Sequence, residues 1–159
     1  MSRTIQSLLD EYGESHKNST NKFIHWICVP AIFWSIVALL HAIPTGFLQY
    51  VLGSSPFANW AVLTLSLVIL YYCFLSIPLM LGMLVFGITC IEITQFVVRN
   101  FEMALWKIAL IIFLIAWIGQ FYGHKIEGKK PSFLKDLQFL LIGPAWLLSF
   151  IYLKLGIKY

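Results

Sequence analysis

The chain has 159 residues, of which 60% are hydrophobic and 11% charged, with a mean hydropathy of +0.83 and a formal charge of +4. Soluble domains carry about 25% charged and about 45–50% apolar residues, so this chain has too little polar surface to cover a water-soluble globule. At about 20 residues per crossing it has room for four or five membrane helices in a single domain, residues 1–159, and for no separate soluble domain. That excludes a dinucleotide-binding fold, a P-loop domain and a nucleic-acid module. No glycine-rich phosphate loop occurs, and the 11 Lys and Arg are scattered between apolar runs instead of gathered into a stripe.

Residues 1–20 hold three acids and two bases, with no apolar run of the kind a signal peptide needs. Within residues 3–14, Ile5, Leu8, Leu9 and Tyr12 fall at helical spacing among polar residues, which predicts a short helix lying on the membrane surface. Five apolar stretches follow, at 23–43, 58–76, 78–98, 104–122 and 139–155. The expected fold class is therefore all-α: an integral membrane helical bundle of about five transmembrane helices preceded by a short interfacial amphipathic helix. The second and third stretches are almost continuous, and as one straight helix they would run about 60 Å, twice the hydrocarbon thickness of about 30 Å. They must turn back, and Ser76-Ile77-Pro78 is where a helix breaks most easily. In the last stretch, Gly143-Pro144 implies a kink or a close helix approach.

Orientation follows from the Lys and Arg between the stretches. With five crossings, Arg3, Lys17, Lys22, Lys125, Lys129, Lys130 and Lys135 share one side while Arg99, Lys107, Lys154 and Lys158 occupy the other, seven against four. The side with more bases faces the cytoplasm, so the N-terminus is expected there, in the inner membrane of a bacterium or the endoplasmic reticulum of a eukaryote. Whatever the sign, four crossings separate the N-terminal segment from residues 125–136, which places both polar stretches at one membrane face. Cys28, Cys73 and Cys90 are isolated in apolar segments and read as packing residues.

Polar side chains near hydrocarbon are costly, so those retained are candidates for function. Of the four histidines, His41 lies 16 residues beyond His25, about 24 Å along a helix, at the opposite interface. His16, His25 and His124 can converge. Three imidazoles are a common ligand set for a transition metal and leave coordination positions open, although at a membrane interface they serve equally well as headgroup or hydrogen-bonding residues. Gln120, His124 and Glu127 fall at i, i+4 and i+7 on one helix stripe, and Asn18, Asn21 and His25 at i, i+3 and i+7 on another. His16 needs a helix break before His25 if both are to face one ion, and Ser19-Thr20-Asn21 offers N-cap residues for it. The neighbouring Asn, Gln and Glu side chains are of the type that orients ligand imidazoles. Glu92, Gln95 and Arg99 form a further stripe, read as an intrahelical pairing with Arg99 reaching outward. Trp60 and Trp106 fit interfacial belts, and Trp117 lies near Gln120, as core or as the wall of a cavity.

The segments H-K-N-S-T-N-K-F-I-H-W-I-C-V-P at 16–30 and Q-F-Y-G-H-K-I-E-G-K-K-P at 120–131, with G-P-A-W at 143–146, resemble the 2-hydroxy fatty acid dioxygenase family. These are small multi-span membrane proteins whose fungal members act in phytosphingosine degradation. The resemblance runs over essentially the whole chain. It implies an iron(II) enzyme of α-oxidation that uses O2 to remove the carboxyl carbon of a long-chain 2-hydroxy fatty acid, leaving a fatty acid one carbon shorter. It further implies His16, His25 and His124 as iron ligands, with Glu127 and Asn21 as nearby catalytic supports; Gln120, on the His124 stripe, is a further candidate catalytic residue, and the lipid bilayer is an expected partner. Conversion of a 2-hydroxy acid to the shortened acid and carbon dioxide releases four electrons, and reduction of O2 to water consumes four, so no reductase is required. Lys125, Lys129 or Lys130 could attract the substrate carboxylate or simply set topology. The acyl tail would lie between the spans, with cavity shape setting chain-length selectivity. A zinc-dependent membrane hydrolase and a non-catalytic lipid-binding protein are the competing readings. A two-iron histidine-box enzyme would need about twice the histidines, and a transporter would need internal repeats and more charges within the membrane.

Overall fold

The computed structural model describes residues 4–55, 57–128 and 139–159, and among them it is all-helical, with no strand. Seven helices follow in order: α1 (Ile5–Gly13), α2 (Ser19–His41), α3 (Gly46–Leu52), α4 (Trp60–Leu75), α5 (Ile77–Asn100), α6 (Leu105–Ile126) and α7 (Ile142–Leu155). Arg3, Lys129, Lys130, Lys135 and Asp136 lie outside the described residues.

Local chemistry sets the boundaries. Thr4 caps α1 by accepting the Ser7 N–H. The break between His16 and His25 is present, but its cap is Asn18, one residue before the Ser19-Thr20-Asn21 expected to supply it. Asn18 Oδ1 accepts the N–H groups of Thr20 and Asn21, the usual chemistry of an N-cap. Ser76 is extended, with φ of −166°, and it ends α4 and begins α5, its hydroxyl accepting the Leu79 N–H. The turn expected at Ser76-Ile77-Pro78 is thus where the chain reverses, with Pro78 in the first turn of α5, where its missing N–H costs nothing. Pro144 likewise sits in the first turn of α7, so it marks a helix start instead of a kink. Gly143 provides the close approach: a Cβ there would lie 3.2 Å from both the Tyr12 hydroxyl and Val29 Cγ1. The short α3, whose Phe47 and Tyr50 are exposed, corresponds to nothing expected from the sequence.

Three helices, α2, α5 and α6, are long and apolar enough to cross a membrane, while α4 has 16 residues and α7 has 14. At 1.5 Å per residue the last two reach only about 24 Å and about 21 Å, less than a hydrocarbon core of about 30 Å. Much of the outer surface is apolar, with Phe74, Phe57, Ile118 and Val85 all exposed. Glu92 and Arg99 both stand exposed on α5, with no ion pair among the described residues.

α2 and α6 run antiparallel along a close seam. A Cβ on Gly119 would come within 2.7 Å of Cys28 Sγ, and one on Gly123 would collide with Asn21 Oδ1. At the far end of α2, the Asn59 amide reaches the His41 carbonyl and the Trp60 indole N–H donates to the Pro44 carbonyl, tying in the start of α4. The core runs through Leu79, Met83, Ile32 and the fully buried Tyr72. The Tyr72 hydroxyl donates to the Leu141 carbonyl, and the Tyr152 hydroxyl donates to the Pro78 carbonyl at 2.7 Å. A buried carbonyl deprived of its donor costs about 1–3 kcal/mol. Tyr72→Phe is therefore expected to lower the thermal midpoint of the protein in detergent micelles. An unchanged midpoint would mean that this bond does not hold α7 in place.

Candidate metal centre

His16 follows the end of α1, where its N–H donates to the Gly13 carbonyl at 3.0 Å and its ring stacks on Tyr12 with centroids 4.3 Å apart. His25 lies within α2 and His124 in the last turn of α6. The three rings meet, with centroid separations of 4.2 Å for His16 and His25, 4.9 Å for His25 and His124, and 5.3 Å for His16 and His124. One ligand atom from each lies within 4.8 Å of the other two, and all three residues are buried. The convergence expected from crossing parity is present, and His41 stands apart at the other end of α2.

A backbone carbonyl only accepts, so an imidazole nitrogen facing one carries the proton. His16 Nδ1 lies 2.6 Å from the Tyr12 carbonyl and His25 Nδ1 lies 2.9 Å from the Asn21 carbonyl. Both rings are therefore assigned as Nδ1–H tautomers whose lone pair resides on Nε2, the arrangement typical of metal-ligating histidines. Burial pushes the His16 pKa down to about 4, overcoming the Tyr12 carbonyl, which favours the charged form. At neutral pH the ring is uncharged and its lone pair is available. His16 Nε2 is buried and has no hydrogen-bond partner among the described residues. Leaving such an atom unsatisfied costs about 1–3 kcal/mol, a deficit that a cation shared by the three rings would remove. The donor set and its tautomers fit a divalent transition metal.

Glu127 caps the C-terminus of α6, but its carboxylate is directed at the start of α2. It accepts the N–H groups of Lys17 at 2.8 Å and Asn18 at 2.9 Å, and the Asn21 amide at 3.0 Å. Desolvation raises its pKa, but the bonds from Asn18, Asn21 and Lys17 outweigh this and hold the carboxyl below its ordinary range. Helix N-termini favour such an anion. Asn21 is fully buried. Its amide also donates to the Ser15 carbonyl at 3.1 Å, and its own carbonyl oxygen receives His25. Gln120 is buried one turn before His124 and lines a small cavity with Tyr12, Trp117, Val29 and Gly143, of about 20 Å³, room for about one water molecule. Lys125 is exposed.

Residues that the sequence reading left without a site role complete the surroundings. Tyr12 was assigned only to the apolar face of α1, yet it carries both the stack on His16 and the carbonyl that sets its tautomer. Trp146 lies 5.1 Å from His16 and 5.3 Å from Tyr12 between ring centroids. Gly119 and Gly123 form a small-x-x-x-small pattern, a signal that marks close helix approach. Alanine at Gly123 would add about 1 kcal/mol of helix propensity but forces Asn21 away, and overpacking of this kind costs about 1–3 kcal/mol. Gly123→Ala is expected to destabilise the protein in thermal unfolding, while Gly46→Ala, where a Cβ meets nothing within 4 Å, is neutral or stabilising. Equal midpoints for the two variants would remove the seam from the account.

Comparison with known proteins identifies the family. The family model described as "2-hydroxy-palmitic acid dioxygenase Mpo1-like" matches residues 2–155. The 2-hydroxy-palmitic acid dioxygenase MPO1 of Saccharomyces cerevisiae is 31% identical over 156 residues, covering 96% of this chain and 82% of the relative. No solved structure matches. A family match over nearly the full length, joined to three buried and converging histidines, leads to one conclusion: the chain belongs to the Mpo1-like family of 2-hydroxy-palmitic acid dioxygenases.

Proposed function

We propose that the protein is an iron(II)-dependent membrane dioxygenase that performs α-oxidation, shortening long-chain 2-hydroxy fatty acids by one carbon with O2. The observation that carries this reading is the meeting of His16, His25 and His124 in one buried cluster. The relative's name supplies the substrate class. The balance is R-CH(OH)-COOH plus O2 giving R-COOH, CO2 and water, four electrons released and four consumed. A ferrous ion held by the three imidazoles would supply the redox chemistry and the open positions at which the 2-hydroxy acid and O2 come together.

The chain's own residues would do the rest. Tyr12 and Asn21 hold two imidazoles in the tautomer that presents Nε2. Glu127 and Asn21 act as positioning residues, because their polar atoms bind the start of α2 and the Ser15 carbonyl. Gln120 lines the adjacent cavity, and its amide would hold a polar atom of the bound acid. Exposed Lys125, next to His124, would draw the carboxylate to the site. Lys129 and Lys130, the other candidates for that attraction, lie outside the described residues.

The apolar outer face and the three long helices support a single transmembrane domain. In this reading α2, α4, α5 and α6 cross the bilayer, with the N-terminus and the histidines at the cytoplasmic face, as the Lys and Arg distribution favours. The fifth apolar stretch of the sequence corresponds to α7. α4 is short for a crossing, and its flanking residues Asn59 and Ser76, both in extended backbone, would carry the chain on toward the interfaces.

Protein purified without oxygen is expected to contain iron and to consume O2 when given 2-hydroxypalmitate. Single substitutions His16→Ala, His25→Ala and His124→Ala should each abolish both the bound iron and the uptake, whereas His41→Ala leaves both in place. Zinc in place of iron with no O2 uptake would point to the hydrolase reading. Equal effects at all four histidines, or at none, would overturn the assigned site.

A further inference from the structure

We propose that α5 pairs with the α5 of a second copy of this chain along a membrane-spanning seam centred on Glu92, making the protein a two-fold dimer in the bilayer. The inference rests on the reading above that α5 crosses the membrane, and it does not depend on the chemistry at the histidines.

The seam is written in the spacing of α5. Leu81, Val85, Ile88, Glu92, Gln95 and Arg99 follow one another at alternating steps of four and three residues, the heptad repeat that keeps one edge of a helix against a parallel partner. All stand exposed except Gln95, which is half-buried. Met83, Cys90, Thr94 and Val97, about half a turn away on the same helix, are buried in the core. The stripe thus lies on the face left for something outside the chain. From Leu81 to Arg99 it runs about 27 Å, nearly the whole hydrocarbon thickness of about 30 Å.

Glu92 singles out the occupant. It lies about 22 Å from the start of α5 and about 12 Å from its end, inside the hydrocarbon, where a carboxyl facing lipid is costly. Neither that carboxyl nor the Gln95 amide has a hydrogen-bond partner among the described residues. A lipid chain against this face would leave both groups unsatisfied. A second copy, related by a two-fold axis along the membrane normal, brings the same residues to the same depth. Its Gln95 then falls between Glu92 and Arg99 of the first copy, where the amide N–H donates to the carboxyl and the amide oxygen accepts from the guanidinium. The symmetry repeats the arrangement, so each copy supplies the charge and the donors that the other lacks. Such hydrogen bonds, together with close packing, hold helices together in lipid, whose tails are as apolar as leucine.

Shape agrees with charge. A Cβ at Gly87 would lie 3.3 Å from Leu65 Cδ2, so α4 lies close beside α5. The two helices border an apolar groove of about 510 Å³ whose walls include Val62, Leu65, Ile69, Ile88, Ile91 and Glu92. Ile88 and Glu92 belong to both groove and stripe. The ridge of Leu81, Val85 and Ile88 on one copy is therefore beside a groove that receives the same ridge of the other, as a self-complementary two-fold interface requires.

The test uses the full-length chain with a fluorescent protein fused after Tyr159, reconstituted in phosphatidylcholine vesicles over a range of protein-to-lipid ratios, with photobleaching steps counted per particle. The unaltered chain is expected to give dimers, their fraction rising with protein density. Glu92→Leu should move the midpoint of that rise about tenfold toward higher density, and Ile88→Trp, which overfills the groove, should move it in the same direction. Glu92→Gln, which keeps an acceptor at this depth, should stay dimeric, as should Ile115→Trp on the exposed face of α6. Monomers at every density, particles of three or more copies, or one midpoint shared by the unaltered chain, Glu92→Leu and Ile88→Trp would each overturn the seam. Oxidative cross-linking gives a readout that leaves Glu92 in place: Val85→Cys should link to itself above the level of the unaltered chain and Ile115→Cys should not, and the opposite pattern also overturns the seam. Retention in membranes washed with alkaline carbonate checks the membrane reading separately, and release by that wash would overturn it and the seam together.

Discussion

Everything at the histidine end depends on how closely α2 approaches α6. Their seam is narrow because Gly119 and Gly123 present bare backbone to Cys28 and Asn21, and a side chain at either position would push the helices apart. This fixes the separation of His25 from His124, which lie almost a hundred residues apart in the chain. The glycines set distance but not the level at which the helices end. The Glu127 carboxylate sets that level by binding the N–H groups of Lys17 and Asn18, just ahead of α2, and the Asn21 amide, joining the C-terminus of one helix to the N-terminus of the other. An anion at a helix N-terminus is favoured by the dipole of that helix. The same Asn21 orients His25, so the clamp and the tautomer share one residue.

The cluster is expensive without an ion and well balanced with one. Three buried imidazoles bring polar nitrogens into the interior, and His16 Nε2 finds no partner there among the described residues. Burial keeps His16 uncharged, and imidazoles bind a metal as neutral ligands. On the proposed chemistry a divalent cation then needs two negative charges nearby, since an unbalanced charge in a low-dielectric site is costly. Glu127 supplies one, anchored just outside the rings. The carboxylate of a 2-hydroxy acid would supply the other, which makes substrate binding part of the electrostatic completion of the site. A neutral lipid could not play that role.

Several features were legible in the sequence because they follow from counting. The break at Ser76 was forced by the length of two joined apolar stretches against a fixed membrane thickness. The grouping of His16, His25 and His124 apart from His41 followed from crossing parity and helix rise. The position of α7 was not legible, because an apolar stretch of 17 residues reads as a span whether it crosses or folds back. Its tertiary partners Tyr72, Gly82 and Val29 come from three separate helices and leave no signature in the sequence. The role of Glu127 was half visible: its place on the His124 stripe marked it as near the site, but the donors that bind it belong to the backbone of Lys17 and Asn18, which carries no side-chain signature. Tyr12 was concealed for a related reason. Its ring looked like one more apolar residue on an amphipathic helix, and the carbonyl that orients His16 is present in every residue.

The size of the space beside the histidines limits how the proposed substrate can be held. The cavity next to Gln120 and Trp117 is about 20 Å³, enough for about one water molecule and far too small for an acyl chain. On the proposed function that cavity cannot take the tail, which would lie along the apolar outer face of the bundle. Moving a CH2 from water to an apolar site gains about 0.8 kcal/mol, but a tail that starts and remains in hydrocarbon gains almost none of it. Discrimination then falls on the carboxylate and the 2-hydroxyl, the groups able to pair with charge and with the Gln120 amide. On that reading the contacts of the head group outweigh those of the tail. It implies an enzyme that reads the head of the acid closely and the length of its tail loosely, because the membrane has already met the cost of solvating the tail.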